Sequence, residues 1–158
     1  MSLLPFFTWC ENLAIGQAMR DSRWLFPVIE SLHLLGLSVL GGAVLAVNLS
    51  LLGLGLGRKS TAQVWRAVRP WLLGSVAVML ASGFLLFLSE AVKLYYQEAF
   101  WVKMSALLLS LVFTATVQRR AALADADHIS RFGSSVVAIM SLLLWFLVGA
   151  GGRWIGFS

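Results

Sequence analysis

Four long apolar stretches, nearly free of charge, constrain the fold of this chain more than any other feature. They run over about residues 26–57, 71–89, 100–117 and 132–150. A helix of about 20 apolar residues crosses the hydrocarbon core of a bilayer. Of all 158 residues, 59% are hydrophobic and only 12% are charged, too few to coat a water-soluble globule. We therefore predict an all-α, integral membrane four-helix bundle that forms a single domain over residues 1–158.

The segment before the first span has a different pattern. Within about residues 5–20, Phe6, Phe7 and Cys10 recur at helical spacing, and Glu11 belongs to the opposite, polar side. This amphipathic pattern predicts an N-terminal interfacial helix that lies along a membrane surface. The alternative interpretation is a partly disordered tail with apolar residues.

The distribution of basic residues predicts the orientation of the spans. Positively charged loops resist translocation and stay in the cytoplasm. The loops after the first and third spans contain most of these residues, namely Arg58, Lys59, Arg66, Arg69, Arg119, Arg120 and Arg131. We expect both termini outside the cytoplasm, in a bacterial inner (plasma) membrane. The net charge of +5 is explained by this topology and by the lipid bilayer as partner, so no nucleic acid is implied.

Each span has one stripe along which its few polar or small residues gather when the chain is wound as a helix. The stripes are Glu30, His33, Leu37, Gly41, Val44 and Asn48 in the first span, Ser75, Ser82 and Ser89 in the second, Lys103, Ser110, Thr114 and Gln118 in the third, and Ser134, Ser141, Trp145 and Gly152 in the fourth. Small and hydroxyl side chains allow membrane helices to approach closely and to hydrogen-bond. We therefore expect the stripes to face one another inside the bundle.

An outer polar cluster is predicted at one end of the bundle, where the spans bring charged side chains to similar depths. Its members are Glu30, His33, Glu90, Lys103 and Arg153. An ammonium within a span is costly unless it is paired or reaches the surface. The cluster is interpreted either as a structural ion-pair lattice or as a shallow pocket. The pocket would bind a metal ion, haem or a quinone headgroup, or its side chains would form a proton relay. Tyr95, Tyr96 and Trp101 would lie at its rim.

The two histidines raise the question of a haem b group. His33 begins the first span, whereas His128 lies between the third and fourth, so the two are about 30 Å apart across the membrane. One iron cannot bind both within a chain. A haem held by His33 and a weaker ligand, or by His33 from two protomers, stays open. Glu30 and His33 also form half of a di-iron motif, but the sequence contains no second Glu-x-x-His.

The segments "WLFPVIESLHLLGLSVLGGAVLAVNLSLLGLG" and "FWVKMSALLLSLVFTATVQRRA" resemble the first and third spans of uncharacterised bacterial four-helix inner-membrane proteins of the domain-of-unknown-function type. The chain is also similar to the copper-resistance D membrane domain, in which a first-helix histidine and a third-helix lysine recur. His33 and Lys103 are the matching positions. The second similarity implies a metal or haem role.

Taken together, these patterns favour a non-catalytic subunit or a ligand-binding membrane protein, whose partner would be a second copy or another membrane subunit. The alternative is a haem- or metal-binding electron-transfer protein that uses His33. A transporter component is the third interpretation. It is based on Asn48, the polar amide that lies deepest within a span. An enzyme is not favoured, because the sequence has no hydrolytic or nucleotide-binding motif.

Overall fold

The computed structural model describes residues 3–54, 59–124 and 130–156. The described chain is helical throughout and contains no strand. Its elements are α1 (Leu4–Glu11), α2 (Ala14–Asp21), α3 (Leu25–Leu51), α4 (Thr61–Ser89), α5 (Ala91–Tyr96), α6 (Glu98–Phe113), a π-helical turn (Thr114–Gln118), α7 (Arg119–Leu123) and α8 (Arg131–Ile155). The prediction of an all-α bundle with four long apolar helices is confirmed.

The four long helices run alternately up and down. Helix α3 packs most extensively on α4, α6 packs on α8, and α3 also contacts α8. The π-helical turn and α7 continue α6, so that the third span is Glu98–Leu123. We call the end of the bundle that contains α1, α2, α5 and the end of α8 the terminal end. The opposite end, where α3 and α7 finish and α4 and α8 begin, is the loop end.

The interior of the bundle combines apolar clusters with buried small or polar side chains, whereas many large apolar side chains lie on its outer surface. Ser75, Ser82 and Ser89 are all buried, as the seven-residue repeat predicts. Ser110, Thr114, Gln118 and Ser141 are buried as well. Phe146, by contrast, is 71% exposed. This arrangement suits a lipid environment, where apolar side chains need no burial and polar ones do.

The helices do not stop at the ends of the apolar stretches. Helix α4 begins at Thr61, well before the predicted span at residue 71, because Ser60 and Gln63 form a capping box. Helix α3 ends at Leu51, before residue 57, and is followed by Gly53 with a φ of +76°. A positive φ is readily adopted by glycine and terminates a helix.

The N-terminal segment forms two helices, where the sequence predicts one. The chain breaks at Asn12 and Leu13, and both α1 and α2 contact α4. Phe7 and Cys10 are buried against Leu88 and Ala91. The ring of Phe7 also contacts the rings of Phe87, Tyr95, Phe100 and Trp101. The two helices therefore cover the terminal end of the bundle.

Arg20 and Glu11 fasten this helical pair. The Arg20 guanidinium donates hydrogen bonds to the carbonyl oxygens of Ser89 (3.1 Å) and Glu11 (2.8 Å). The Glu11 carboxylate accepts the backbone N–H of Val92 at 2.6 Å and lies 4.0 Å from the Arg20 guanidinium. Hydrogen bonds that involve a charged group are stronger than neutral ones. The end of α4 is thus tied to α2, and the start of α5 is tied to α1.

Close approach of α2 to α4 depends on Gly16. A Cβ at this position would lie 2.5 Å from the carbonyl oxygen of Leu88. We expect Gly16→Ala to lower the free energy of unfolding by about 1–3 kcal/mol, as overpacking does. Gly74→Ala is the matched control, because a Cβ there meets nothing within 4 Å. Thermal unfolding in detergent measures both changes, and equal melting temperatures for the two variants would contradict this packing.

Candidate functional site

His33 makes the first of two polar contacts between helices in the terminal half of the bundle. It lies about 12 Å along α3 from Leu25. Its Nδ1 is 2.8 Å from Oγ of Ser82 on α4. The Ser82 hydroxyl donates its proton to the carbonyl oxygen of Val78 at 2.6 Å, so it accepts from Nδ1–H of His33. This pattern assigns the neutral tautomer in which Nε2 retains its lone pair.

The backbone of α4 holds the imidazole closely. A Cβ on Gly83 would lie only 3.1 Å from Cε1 of His33. Gly83 therefore leaves the space that the ring occupies, and the orientation of the ring is fixed from α4.

Lys103 makes the second contact, from α6 to the last turns of α8. A Cβ on Gly151 would lie 3.0 Å from Cβ of Lys103, and one on Gly152 would lie 3.4 Å from its Nζ. The lysine side chain thus lies along a pair of glycines. Among residues 3–54, 59–124 and 130–156, no carboxylate lies within 4.0 Å of the Lys103 ammonium.

The other members of the predicted outer polar cluster are Glu30, Glu90 and Arg153. Glu30 is exposed and makes no hydrogen bond or ion pair with a described residue, and Arg153 is exposed on the last turn of α8. Glu90 follows α4 and lines a cleft with Arg20 and Arg23. Glu30 precedes His33 by three residues, which separates them by about 60° around the helix, so only His33 faces α4.

No group of three metal-binding side chains occurs in the part of the chain that the structure describes. His128, with Asp125 and Asp127, lies outside the described residues. Tyr95 and Trp101 belong to the aromatic cluster around Phe7, whereas Tyr96 is 68% exposed. The structure therefore joins His33 to Ser82, a residue that the sequence indicated only as part of the serine stripe, whereas Lys103 packs on α8.

A second polar group lies in the loop half of the bundle and joins three spans. Asn48 donates from Nδ2 to Oγ of Ser141 at 3.1 Å and accepts at Oδ1 from Nε2 of Gln118 at 2.9 Å. All three side chains are fully buried. Trp145 donates from Nε1 to Oγ1 of Thr114 at 3.1 Å. The stripes in the sequence predicted that these side chains face the interior, but not which of them hydrogen-bond to one another.

The π-helical turn presents Gln118 to this group. Such turns are rare and usually occur singly within α-helices. The carbonyl oxygen Oε1 of Gln118 is buried and has no hydrogen-bond partner among the described residues. The group is neutral and is built from amides and hydroxyls, so its evident role is to join α3, the third span and α8.

Four helices that are long and apolar enough to cross a membrane, with polar side chains buried between them, are typical of a multi-pass α-helical membrane protein. Residues 6–158 match the family described as "Family of unknown function (DUF6644)", and the chain belongs to this family. No curated protein and no solved structure matches the sequence. The family match agrees with the resemblance to uncharacterised four-helix proteins. It gives no support to a similarity with the copper-resistance D domain.

The amide group yields a prediction about stability. Asn48→Leu leaves Nε2 of Gln118 and Oγ of Ser141 without their partner, and we expect it to cost about 1–2 kcal/mol of unfolding free energy. The double variant Asn48→Leu/Gln118→Leu removes both amides, and we expect it to be more stable than Asn48→Leu alone. Ser38→Ala, which removes only a local bond to Leu34 on an exposed face of α3, is the control. Thermal unfolding in detergent measures all three, and an Asn48→Leu variant as stable as Ser38→Ala would refute the role of the amide group.

Proposed function

We propose that this chain is a non-catalytic, ligand-binding protein or subunit of the bacterial inner membrane. Its ligand would bind in the terminal half of the bundle, at His33, Ser82 and Lys103. The ligand would present a hydrogen-bond acceptor, either an anion or a carbonyl oxygen, to the Lys103 ammonium. Both termini would lie outside the cytoplasm, because Lys59, Arg66, Arg119 and Arg120 are at the loop end.

The observation that carries this proposal is the Lys103 ammonium, which lies in an apolar span without a carboxylate partner among the described residues. Ionisable groups within spans are costly and usually mark a ligand or ion pathway. Lys103 on α6 and His33 on α3 both lie in the terminal half of the bundle. A donor on α6 and an imidazole acceptor on α3 together can hold one small polar headgroup.

A haem b group is the second candidate, and the Ser82 hydrogen bond favours it. Histidines that bind metals usually donate their other ring N–H to a neighbour, which orients the ring and sets its tautomer. Nδ1–H of His33 does so with Ser82, which leaves Nε2 to bind iron. The described residues offer no second histidine to this site, so a single-histidine iron or a haem shared between two copies is the form that would fit.

Optical spectra distinguish the two candidates. We expect the detergent-purified wild type to show no reduced-minus-oxidised α-band and no stoichiometric metal, because the preferred ligand is not haem. An α-band that is present in the wild type and lost in His33→Ala would instead establish the haem candidate. Ser82→Ala removes only the orienting bond, so a haem held by His33 would persist there with a shifted spectrum. The spectra are recorded on protein purified with and without added haemin.

Ligand binding is tested with probes that share one apolar tail. We expect decanoate, an anion, or a decyl-substituted benzoquinone, a neutral carbonyl compound, to raise the melting temperature of the wild type. A free ligand concentration of one hundred times the Kd stabilises the folded state by about 2.7 kcal/mol. For a chain of this size, that stabilisation raises the melting temperature by several degrees. Decanol controls for the tail. Lys103→Met should abolish the shift, and Lys93→Met, at an exposed position on α5, should preserve it.

Two results would contradict the ligand proposal. One is that neither probe stabilises the wild type more than decanol does. The other is that Lys103→Met responds as Lys93→Met does.

A further inference from the structure

A separate cleft lies at the terminal end, where α2 leads into α3 beside the end of α4. Its volume is about 280 Å³, far more than the ~10–15 Å³ that a single water requires. Arg20 and Arg23 line one part of it, and Glu90 lines another. His33 and Lys103 are not among the lining residues, so this cleft is independent of the proposed ligand site.

Two oppositely charged side chains in the cleft, Arg23 and Glu90, form no ion pair or side-chain hydrogen bond among the described residues. Arg23 and Glu90 do not pair within 4.0 Å, and neither side chain hydrogen-bonds another described residue. Arg20 differs, because its guanidinium is held by Ser89 and Glu11. The cleft therefore has a fixed cation, a second cation that is free to engage a ligand, and a carboxylate.

The apolar part of the cleft connects it to the lipid-facing surface. Met19, Phe26 and Pro27 complete its lining. Below them, α3 presents exposed apolar side chains at successive turns, with Leu25 at 43%, Val28 at 50% and Leu32 at 46% exposure. Because Phe26 and Pro27 belong to the first turn of a spanning helix, the cleft lies at the depth of lipid headgroups.

We propose that this cleft binds a zwitterionic phospholipid with a primary ammonium, that is, a phosphatidylethanolamine headgroup. The phosphate lies against the guanidinium groups of Arg23 and Arg20, and guanidinium is the side-chain group best shaped for phosphate. The ammonium donates to the carboxylate of Glu90. The acyl chains follow the exposed apolar face of α3. The free cation, the free carboxylate and the apolar exit together match this one class of lipid.

Native mass spectrometry of the full chain, released from detergent with added lipid, tests the proposal. The probes are phosphatidylethanolamine, phosphatidylglycerol and phosphatidylcholine with identical acyl chains. We expect phosphatidylethanolamine to bind the wild type most tightly, since phosphatidylglycerol has no cation for Glu90 and phosphatidylcholine has no N–H donor. Arg23→Gln should weaken its binding about tenfold, as loss of one charge-assisted hydrogen bond does.

Further variants distinguish recognition of the lipid headgroup from a nonspecific effect of the protein's net charge. Glu90→Gln should weaken phosphatidylethanolamine binding and leave phosphatidylglycerol binding unchanged or stronger. Lys93→Gln removes an exposed charge on α5 outside the cleft and should bind as the wild type does. Glycerophosphoethanolamine, which lacks the acyl chains, should not displace the lipid.

The proposal is overturned if Arg23→Gln binds as Lys93→Gln does, or if phosphatidylglycerol binds the wild type as tightly as phosphatidylethanolamine. Displacement of the lipid by glycerophosphoethanolamine at similar concentration would also overturn it, because the site would then recognise a soluble phosphoester. Circular dichroism of each variant confirms that the compared proteins are folded. Arg23 is exposed and forms no side-chain hydrogen bond or ion pair with a described residue, so we expect its variant to fold and to report on binding.

Discussion

Helix α3 carries the side-chain hydrogen bonds on which the arrangement of the other spans depends. At its loop end, Asn48 bonds α8 through Ser141 and the third span through Gln118. At its terminal half, His33 bonds α4 through Ser82. Lipid offers polar side chains no water as an alternative partner, and it does not drive apolar helices together. Two polar residues on one helix therefore set the faces of all four spans.

The two halves of the bundle use their polar groups differently. In the loop half, neutral amides and hydroxyls bond one another beneath an apolar cluster that includes Val47, Trp65 and Ala122. The terminal half contains an imidazole with one hydrogen-bonded nitrogen on α3 and an ammonium on α6, and α1 and α2 cover the end. The group in the loop half carries no formal charge that a ligand would have to balance. The terminal half differs because its charge is not balanced by a carboxylate of the described chain, which is why the proposed ligand is assigned there.

The sequence predicts the number of spans and their inward faces well, because both follow from composition and helical periodicity. The serine repeat of α4 identifies a buried face, and Lys103, Ser110, Thr114 and Gln118 share a stripe. The position of Glu30 could not be predicted in this way, since three residues of separation leave two side chains on neighbouring rather than identical faces. The start of α4 could not be predicted from the apolar pattern for another reason. A capped helix extends beyond its apolar stretch, where polar residues interrupt that pattern.

Contacts between distant segments could not be predicted from periodicity at all. The hydrogen bond from Arg20 to the backbone of Ser89 joins a short helix to the end of a spanning one, and no spacing rule connects them. The same holds for Gly16, whose importance comes from the backbone of α4 opposite it. The cleft beside Arg23 exists only because α2, α3 and α4 meet there. Tertiary geometry, rather than local preference, creates these features.

The π-helical turn has a consequence for how chains of this architecture can vary in length. In an unbroken α-helix, each inserted residue rotates everything after it by about 100°. A π-helical turn takes up an extra residue within its wider hydrogen-bonded ring. Ala121 and Ala122, which follow the turn, pack in the same cluster as Trp65. Thr114–Gln118 is therefore the segment of the third span where one residue can be lost or gained while the alanines keep facing α4.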